Sequence, residues 1–315
     1  MNTAFIYPGQ GSQYIGMGRE LYQNFSEAKE VYSIVNEAIK QNLTETIFNG
    51  EEEVLKQTYN VQPAIMATSI AILKVLESLA GKKINQMCYI SAGHSLGEYT
   101  ALCAAKSISL EETAKILKAR GKYMESASSS TEKGCMYALI GTTQEDVKKM
   151  CHILSRDGIC EIANDNGNGQ FVISGQCQVF TKIDEISKRF SVRRVVLLPV
   201  SHAFHSSMMK KATNEMLEEL KKFDFQLPVV KIIANYSANI YQSIKEIKTL
   251  LIKQIEGKVR WREIIDKMHT EHNVRRFVEI GPGKVLTNII KRDYKDTIVY
   301  NLDTLKNIEN YLKDL

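Results

Sequence analysis

Short apolar runs alternate with amphipathic stretches along most of this chain. The runs at residues 3–7, 87–92, 229–234, 276–280 and 297–302 end at Gly, Pro or polar residues, a pattern typical of buried strands. Helices are predicted between them, at residues 64–79, 98–106, 109–126, 206–223, 244–255, 261–268 and 284–291. Strands that alternate with helices indicate a mainly parallel sheet covered on both faces.

Two of these helices carry recognisable start signals. Pro63 stands just before the apolar run 64–79, where an early helix position tolerates its missing N–H. Ser109 and Glu112 have the spacing of a capping box, which predicts that a helix begins there and continues to about residue 126.

A polar linker at residues 126–131 interrupts this pattern. Beyond it, strands at 135–140, 160–163, 171–174 and 194–200 are interleaved with helices at 144–154 and 179–190. The order β-α-β-β-α-β is that of a ferredoxin-like unit. We therefore predict a small ferredoxin-like domain over residues 128–198, inserted into a discontinuous large α/β domain formed by residues 1–127 and 199–315.

Composition excludes several classes of protein. Of 315 residues, 44% are apolar and 24% charged, which is ordinary for a globular protein and argues against widespread disorder. The net charge of +5 is mild, and Lys and Arg form no dense stripe, so nucleic acid is not expected as a partner. The longest uncharged apolar stretch, residues 64–73, is short of the roughly twenty residues that a membrane span needs. The N-terminus has no basic region or cleavage site, so it is interpreted as the first strand and not as a signal peptide.

The cysteines give no sign of a metal site or a disulfide framework. They include no C-x-x-C pair and no neighbouring His at ligand spacing. Buried reduced thiols in a cytoplasmic protein are therefore expected at Cys88, Cys103, Cys135, Cys151, Cys160 and Cys177.

The segment from Gly93 to Gly97, GHSLG, matches the pattern G-x-S-x-G. Its position between a predicted strand and a predicted helix is the context that a nucleophile elbow requires. There the glycines permit a sharp turn that exposes the Ser95 hydroxyl, and the following helix directs its first amides at the reacting oxygen. The alternative is a glycine-rich turn without chemistry.

A serine nucleophile needs a base, and six histidines are candidates. His152 lies in the inserted domain, whereas His269 and His272 lie at a polar helix end, so all three are interpreted as surface residues. His94 belongs to the elbow and is expected to support the turn. The segment SHAFHS directly follows a predicted strand, and spacing alone does not choose between its two histidines, His202 and His205.

Two further features bear on the same chemistry. Arg120 shares a helix face with Leu117, Gly121 and Met124, and an inward-facing arginine is costly unless an anion or other acceptors meet it. The alternative is an arginine whose end reaches water beside a cleft between the domains. The loop PGQGSQ, after the first strand, lacks the ending of a phosphate loop, but it can bring its amides and the Gln10 side chain close to the elbow.

Taken together, these motifs resemble those of the malonyl-CoA:acyl-carrier-protein transacylases and the related acyltransferase domains of polyketide synthases. The resemblance covers residues 5–291 and rests on YPGQGSQ, QPA, GHSLGEY, an Arg-Gly pair, ANDNGNGQFVISG, PVSHAFHS and VEIGPGKVL, in that order. It implies an α/β-hydrolase-like large domain with a mainly parallel sheet and the inserted ferredoxin-like domain.

The resemblance also implies roles for individual residues. Ser95 is then the nucleophile and His205 its base, Gln10 and the Leu96 amide form the oxyanion hole, and Arg120 binds the malonyl carboxylate. A main-chain carbonyl near Gln254 orients the histidine in place of an acid. The remaining substrate-binding candidates that it implies are Asn164, Gln62, His94 and Phe204, the last as a bulky group that crowds an α-methyl substituent.

The expected activity is ping-pong transfer of a malonyl group from malonyl-CoA to the phosphopantetheine thiol of acyl carrier protein, by a monomer that needs no cofactor. The segment HAFH keeps a polyketide-type acyltransferase open, because fatty-acid transacylases more often carry a different tripeptide before this histidine. A serine esterase or thioesterase, which shares the elbow but has no need for Arg120, and a non-catalytic carrier-binding protein are the alternatives from other classes.

Overall fold

The computed structural model describes residues 1–127, 133–200 and 202–315. The strands in this part of the chain are β1 (Asn2–Tyr7), β2 (Ile90–Gly93), β3 (Gly134–Ile140), β4 (Cys160–Asp165), β5 (Gln170–Gln176), β6 (Arg194–Leu197), β7 (Lys231–Ile232), β8 (Val274–Glu279) and β9 (Ile298–Asn301). The helices are α1 (Arg19–Asn24), α2 (Ser26–Ile39), α3 (Leu43–Asn49), α4 (Glu52–Lys56), α5 (Thr58–Ala80), α6 (Ile84–Met87), α7 (Leu96–Ala104), α8 (Leu110–Ser126), α9 (Gln144–Leu154), α10 (Ile183–Arg189), α11 (Lys210–Leu220), α12 (Ile244–Glu256), α13 (Trp261–Thr270), α14 (Val285–Asp293) and α15 (Leu305–Lys313).

Five strands form a parallel sheet in the order β7-β2-β1-β8-β9. Side chains of β1 alternate between its two faces, with Phe5 and Tyr7 in one hydrophobic cluster and Ala4 and Ile6 in the other. A strand that is apolar on both faces is typical of a parallel sheet covered by helices on each side. Because β1 and β2 are parallel neighbours, the loops that follow them lie at the same edge of the sheet.

The second sheet is antiparallel, has the order β4-β5-β3-β6, and packs against its own hydrophobic cluster. Together with the parallel sheet it confirms the predicted fold class, a mainly parallel α/β unit with a small ferredoxin-like unit inserted. The limits of the two domains stay a prediction. Residues 128–131 of the expected linker, and Ser201 of the SHAFHS segment, lie outside the described residues.

The small sheet is joined at β4 to the segment that leads into α13. The Asp165 N–H donates to the Val259 carbonyl at 3.0 Å, and the Val259 N–H donates to the Ala163 carbonyl at 2.8 Å. The Arg262 guanidinium lies 3.0 Å from the fully buried carboxylate of Asp165. Two main-chain hydrogen bonds and an ion pair with a buried partner therefore fasten the small sheet to the start of α13.

Helix α5 differs from its prediction and is the longest helix of the described part. It begins at Thr58, so Pro63 lies inside it and not at its start. By length and composition α5 could cross a membrane, but 78% of its most apolar window is buried inside the protein. Its apolar residues therefore serve as core between the surrounding helices.

Element boundaries shift elsewhere for local reasons. Strand β2 begins at Ile90, because residues 84–87 form the short helix α6. The predicted capping box of α8 is present, with Ser109 accepting from the Glu112 amide at 3.2 Å. The sequence analysis assigned no element to α15, although Ile308 and Tyr311 of this helix are fully buried.

The expectation that all six cysteines are reduced is wrong for two of them. Cys135 in β3 and Cys177, directly after β5, form a disulfide, whereas the other four cysteines are free. Antiparallel pairing of β3 with β5 brings these two residues together from 42 positions apart. Spacing along the chain carries no information on that pairing.

Candidate active site

Ser95 lies on a tight turn between β2 and α7, with φ 53° and ψ −109°. Such a backbone conformation is strained for a residue with a side chain, and it raises the hydroxyl above the edge of the sheet. Two glycines make the turn possible by close approach: a Cβ on Gly93 would lie 1.8 Å from the Gly97 carbonyl oxygen, and one on Gly97 would lie 2.4 Å from the Tyr7 carbonyl oxygen. The G-x-S-x-G spacing is thus dictated by backbone packing.

Asn235, which follows β7, holds this turn from the side. Its Oδ1 accepts the Ser95 N–H at 2.7 Å, and its Nδ2 donates to the Gly93 carbonyl at 2.7 Å. Asn235 is fully buried, and the sequence analysis did not single it out. Its two hydrogen bonds satisfy polar groups that the sharp turn leaves without helix partners.

The structure brings His205, and not His202, to the Ser95 hydroxyl. The Ser95 Oγ lies 2.8 Å from His205 Nε2, and His205 Nδ1 lies 2.8 Å from the Gln254 carbonyl oxygen. That carbonyl accepts a proton held on Nδ1, which leaves Nε2 as the acceptor facing the serine. Burial and the nearby Arg120 charge lower the pKa of His205 to about 3, so the imidazole is neutral at physiological pH.

Arg120 is the second buried group at this centre, with 1% of its surface exposed. Its Nη2 lies 3.2 Å from Ser95 Oγ and 2.9 Å from Gln254 Oε1, and its Nη1 donates to Gln62 Oε1 at 2.7 Å. Among residues 1–127, 133–200 and 202–315, no carboxylate lies within ion-pair distance of Arg120 (4.0 Å). A buried guanidinium held by neutral acceptors is suited to take up an anion beside the serine.

A cavity of about 250 Å³ opens above Ser95 between the two sheets. Gln10 lines it from the loop after β1, and Leu96 lines it as the first residue of α7, whose amide has no acceptor inside the helix. The small sheet contributes Met136, Val172 and Asn164, and Phe204 completes the wall next to His205. Every site residue predicted from the sequence lies in this cavity except Gln254, which lies directly behind it.

His94 and Asn164 belong to one polar cluster of the cavity wall. His94 Nε2 lies 3.0 Å from Asn166 Oδ1 and 3.3 Å from Asn164 Nδ2. Burial lowers the pKa of His94, so this ring is also neutral near pH 7. Since the two asparagines come from the small domain and the histidine from the elbow, the cluster spans the cleft between the sheets.

Glu98 is a second fully buried residue, after Asn235, that was not predicted from the sequence. Its carboxylate accepts from Tyr241 Oη and, at 2.6 Å, from Gln254 Nε2. A glutamate among small and apolar residues of the helix that follows Ser95 was the available sequence signal.

In the described part of the chain no cluster of three or more His, Cys, Asp or Glu is arranged to hold a metal ion.

Known proteins are similar to this chain in both sequence and architecture. A family model for the acyl transferase domain matches residues 4–313. The malonyl CoA-acyl carrier protein transacylase of Bacillus subtilis is 39% identical over 290 residues, 92% of this chain and 89% of that protein. The structure of an acyl-carrier-protein S-malonyltransferase from Bartonella henselae superposes with a TM-score of 0.95 at 43% identity, covering 100% of this chain and 99% of that one. A malonyl-transacylase solved in complex with its type II polyketide-synthase acyl-carrier protein also has a TM-score of 0.95, at 31% identity with 100% of both chains covered.

The chain therefore belongs to the acyl transferase family. Within that family it is a member of the malonyl CoA-acyl carrier protein transacylases, as the resemblance of its motifs predicted.

Proposed function

We propose that this protein transfers the malonyl group of malonyl-CoA to the phosphopantetheine thiol of acyl carrier protein in fatty-acid synthesis, through a malonyl ester of Ser95. The observation that carries the proposal is the pairing of a nucleophile with an anion-binding group in one cavity. Arg120 Nη2 lies 3.2 Å from the Ser95 Oγ that His205 can deprotonate. An acyl group that carries its own carboxylate satisfies both groups at once.

In the first half-reaction Ser95 Oγ attacks the thioester carbonyl while His205 Nε2 accepts the hydroxyl proton. The negative charge that develops on the carbonyl oxygen is stabilised by the Leu96 amide and by Gln10, and each such donor contributes on the order of a hundredfold or more in rate. The C–S bond then breaks, and the protonated His205 returns its proton to the departing thiolate of CoA. The malonyl group remains as an ester on Ser95.

The second half-reaction runs the same steps in reverse with a different thiol. His205 takes the proton of the phosphopantetheine thiol, the sulfur attacks the malonyl ester, and Ser95 leaves with the proton that His205 holds. Neither half-reaction requires a metal or cofactor. The Gln254 carbonyl serves both, because it supports the imidazolium that forms each time.

Arg120 separates this function from that of a serine esterase or thioesterase. A bidentate pair between its guanidinium and the malonyl carboxylate contributes roughly 1.5 to 3 kcal/mol in a cleft from which water is partly excluded. A hydrolase of neutral esters gains nothing from a buried arginine beside its nucleophile, and the desolvation of that charge is costly.

Competition among acyl donors tests this function. The protein is mixed with equal concentrations of malonyl-CoA, methylmalonyl-CoA and acetyl-CoA, and its intact mass is recorded before and after holo acyl carrier protein is added. We expect the malonyl adduct to dominate and to move to the carrier protein. Loss of the adduct to water at the same rate without the carrier protein would instead identify a hydrolase.

Replacement of Phe204 by serine is expected to relax the choice of acyl group without reversing it. The Phe204 side chain is buried in the cavity wall next to His205, where it limits the space beside the acyl α-carbon. A pocket change of this size is worth about 1 to 3 kcal/mol, so the preference for malonyl over methylmalonyl should fall by roughly 5- to 150-fold. The ratio of the two kcat/KM values measures it, and an unchanged ratio would exclude Phe204 as the selecting group.

A stand-alone acyltransferase that serves a polyketide synthase is the second candidate, favoured by the HAFH segment and by the likeness to a transacylase solved with a polyketide carrier protein. The two candidates share the acylation chemistry and differ in the acceptor. Transfer to fatty-acid and polyketide carrier proteins present together decides between them.

We also propose that the protein is a monomer and that it is located in the cytoplasm. The four free thiols fit a reducing compartment, while the Cys135–Cys177 bond is of a kind more usual in oxidising ones. Light scattering of the purified protein measures the oligomeric state, and titration of its thiols after lysis under alkylating conditions shows whether this bond exists in the cell.

A further inference from the structure

Glu98 is a fully buried carboxylate three residues after the nucleophile, and the mechanism above makes no use of it. One carboxylate oxygen accepts from Tyr241 Oη and from the Asn235 N–H, the latter at 3.2 Å. The other accepts from Gln254 Nε2 at 2.6 Å. Burying a charge is costly, so a buried carboxylate just outside the cavity requires an explanation.

The contacts of Gln254 supply that reason. Its side-chain amide has a donor end and an acceptor end, and an ionised Glu98 can only accept. The donor end therefore faces Glu98 and the Ser95 carbonyl, the latter at 2.9 Å, and the acceptor end is left facing Arg120 Nη2 at 2.9 Å. The orientation of one amide thus connects Glu98 to the guanidinium.

We propose that Glu98 is a positioning residue that, through the Gln254 side chain, holds Arg120 in the orientation that receives the acyl carboxylate. The proposal rests on the function proposed above. It concerns the choice of acyl group and not the attack by Ser95, because His205 is held by the main-chain carbonyl of Gln254 and not by its side chain.

The substitution Glu98→Gln would reverse the direction in which the Gln254 side-chain amide donates and accepts. The Asn235 N–H and Tyr241 Oη would continue to bind an acceptor, so the new amide oxygen would face them and the new NH₂ group would face Gln254. Two donors cannot pair, so the Gln254 amide would have to turn its oxygen toward residue 98. Its NH₂ group would then face the guanidinium, and Arg120 would lose an acceptor. The Ser95 carbonyl would lose the Gln254 donor but keep the main-chain N–H of residue 98, which lies 3.1 Å from it.

Protonation of Glu98 has the same consequence, because a carboxylic acid can donate to Gln254. Burial raises the pKa of Glu98 to about 7, against the opposing effects of its hydrogen bonds and of Arg120. The titratable groups that face it from the described elements are Arg120 of α8, Tyr241 before α12 and Tyr99 of its own helix. Burial raises the pKa of both tyrosines further above neutrality, so Glu98 is the group of this cluster whose pKa lies near 7.

The test compares Glu98→Gln with wild type by kcat/KM for malonyl-CoA and acetyl-CoA between pH 5.5 and 8.5. At pH 8 we expect the malonyl value to fall roughly tenfold or more and the acetyl value to stay within about twofold of wild type. The wild-type ratio should fall as the pH is lowered through about 7, whereas the variant ratio should be low and constant. Taking a ratio removes contributions of His205 and the CoA phosphates, which both substrates share.

Glu77→Gln is the matched control, because Glu77 is also buried but accepts from the Ile84 amide at the far end of α5. Its acyl ratio should equal that of wild type. Thermal melting of both variants separates positioning from folding: we expect Glu98→Gln to melt at or above the wild-type temperature at pH 8, since it removes a buried charge.

An acyl ratio in Glu98→Gln that is unchanged, or that follows pH as in wild type, would overturn the proposal. So would equal losses with both substrates, which indicate a general structural role. Failure of the proposed function would be recognised separately, because wild type itself would then form no malonyl adduct.

Discussion

Replacing Ser95 by alanine is expected to eliminate the covalent malonyl adduct and to reduce transfer to the carrier protein by at least about 10⁴-fold. The hydroxyl is the group that forms the ester, and Arg120 and the cavity wall remain in place to bind substrate. Intact mass after incubation with malonyl-CoA measures the adduct, and peptide mapping of the wild-type protein locates it. An adduct on any other residue would contradict the assignment of the nucleophile.

The two histidines of the SHAFHS segment provide an internal control for the same step. His205→Ala should slow acylation by at least about 10²-fold, because it removes the group 2.8 Å from Ser95 Oγ that accepts its proton. His202 packs near Phe204, with the two ring centroids 5.7 Å apart, and His202→Ala should have a much smaller effect. Equal losses in the two variants would show that neither acts as the base.

Replacing Arg120 by alanine is expected to abolish the preference for malonyl over acetyl groups. Loss of the charge-assisted pair should lower kcat/KM for malonyl-CoA by about 10- to 150-fold, while acetyl transfer is unchanged or improved because acetyl makes no use of the guanidinium. The ratio of the two values, measured at pH 8, reports the effect.

Arg120→Lys is the matched variant for this prediction. It keeps the charge but cannot present two parallel donors to a carboxylate, so its selectivity should lie between those of wild type and Arg120→Ala. If Arg120→Ala lowers malonyl and acetyl transfer by the same factor, Arg120 supports the fold and the carboxylate is bound elsewhere.

The parts of the fold that depend on local signals could be predicted from the sequence. The Ser109 capping box and the turn around Ser95 are determined by residues within a few positions of one another, and the structure shows both. The start of α5 was misjudged because Pro63 is tolerated within a helix that is held on every side by tertiary packing. The Cys135–Cys177 pairing depends on strand register, which spacing does not encode.

The candidate site shows the same difference between local signals, which the sequence contains, and contacts between distant residues, which it does not reveal. G-x-S-x-G locates the serine, but the residues alone left the choice between His202 and His205 open, and only the resemblance favoured His205. Glu98 and Asn235 were missed because their importance lies in contacts across more than a hundred positions, with Gln254 and Ser95 respectively. The small and apolar neighbours of Glu98 in its helix were the one sequence signal, and they do not show which residues pack against its carboxylate.

The fastening of β4 to the start of α13 has a consequence for how such an enzyme could change over time or be redesigned. Ser95, His205 and Arg120 all lie outside the small sheet, whereas Met136, Val172 and Asn164 reach the cavity from that sheet, which the Asp165–Arg262 pair and two main-chain bonds fasten. Part of the pocket wall is thus encoded in a different stretch of the gene from Ser95, His205 and Arg120. Exchange of the segment from β3 through β5 would replace Met136, Asn164 and Val172 in a single recombination event and leave Ser95, His205 and Arg120 unchanged.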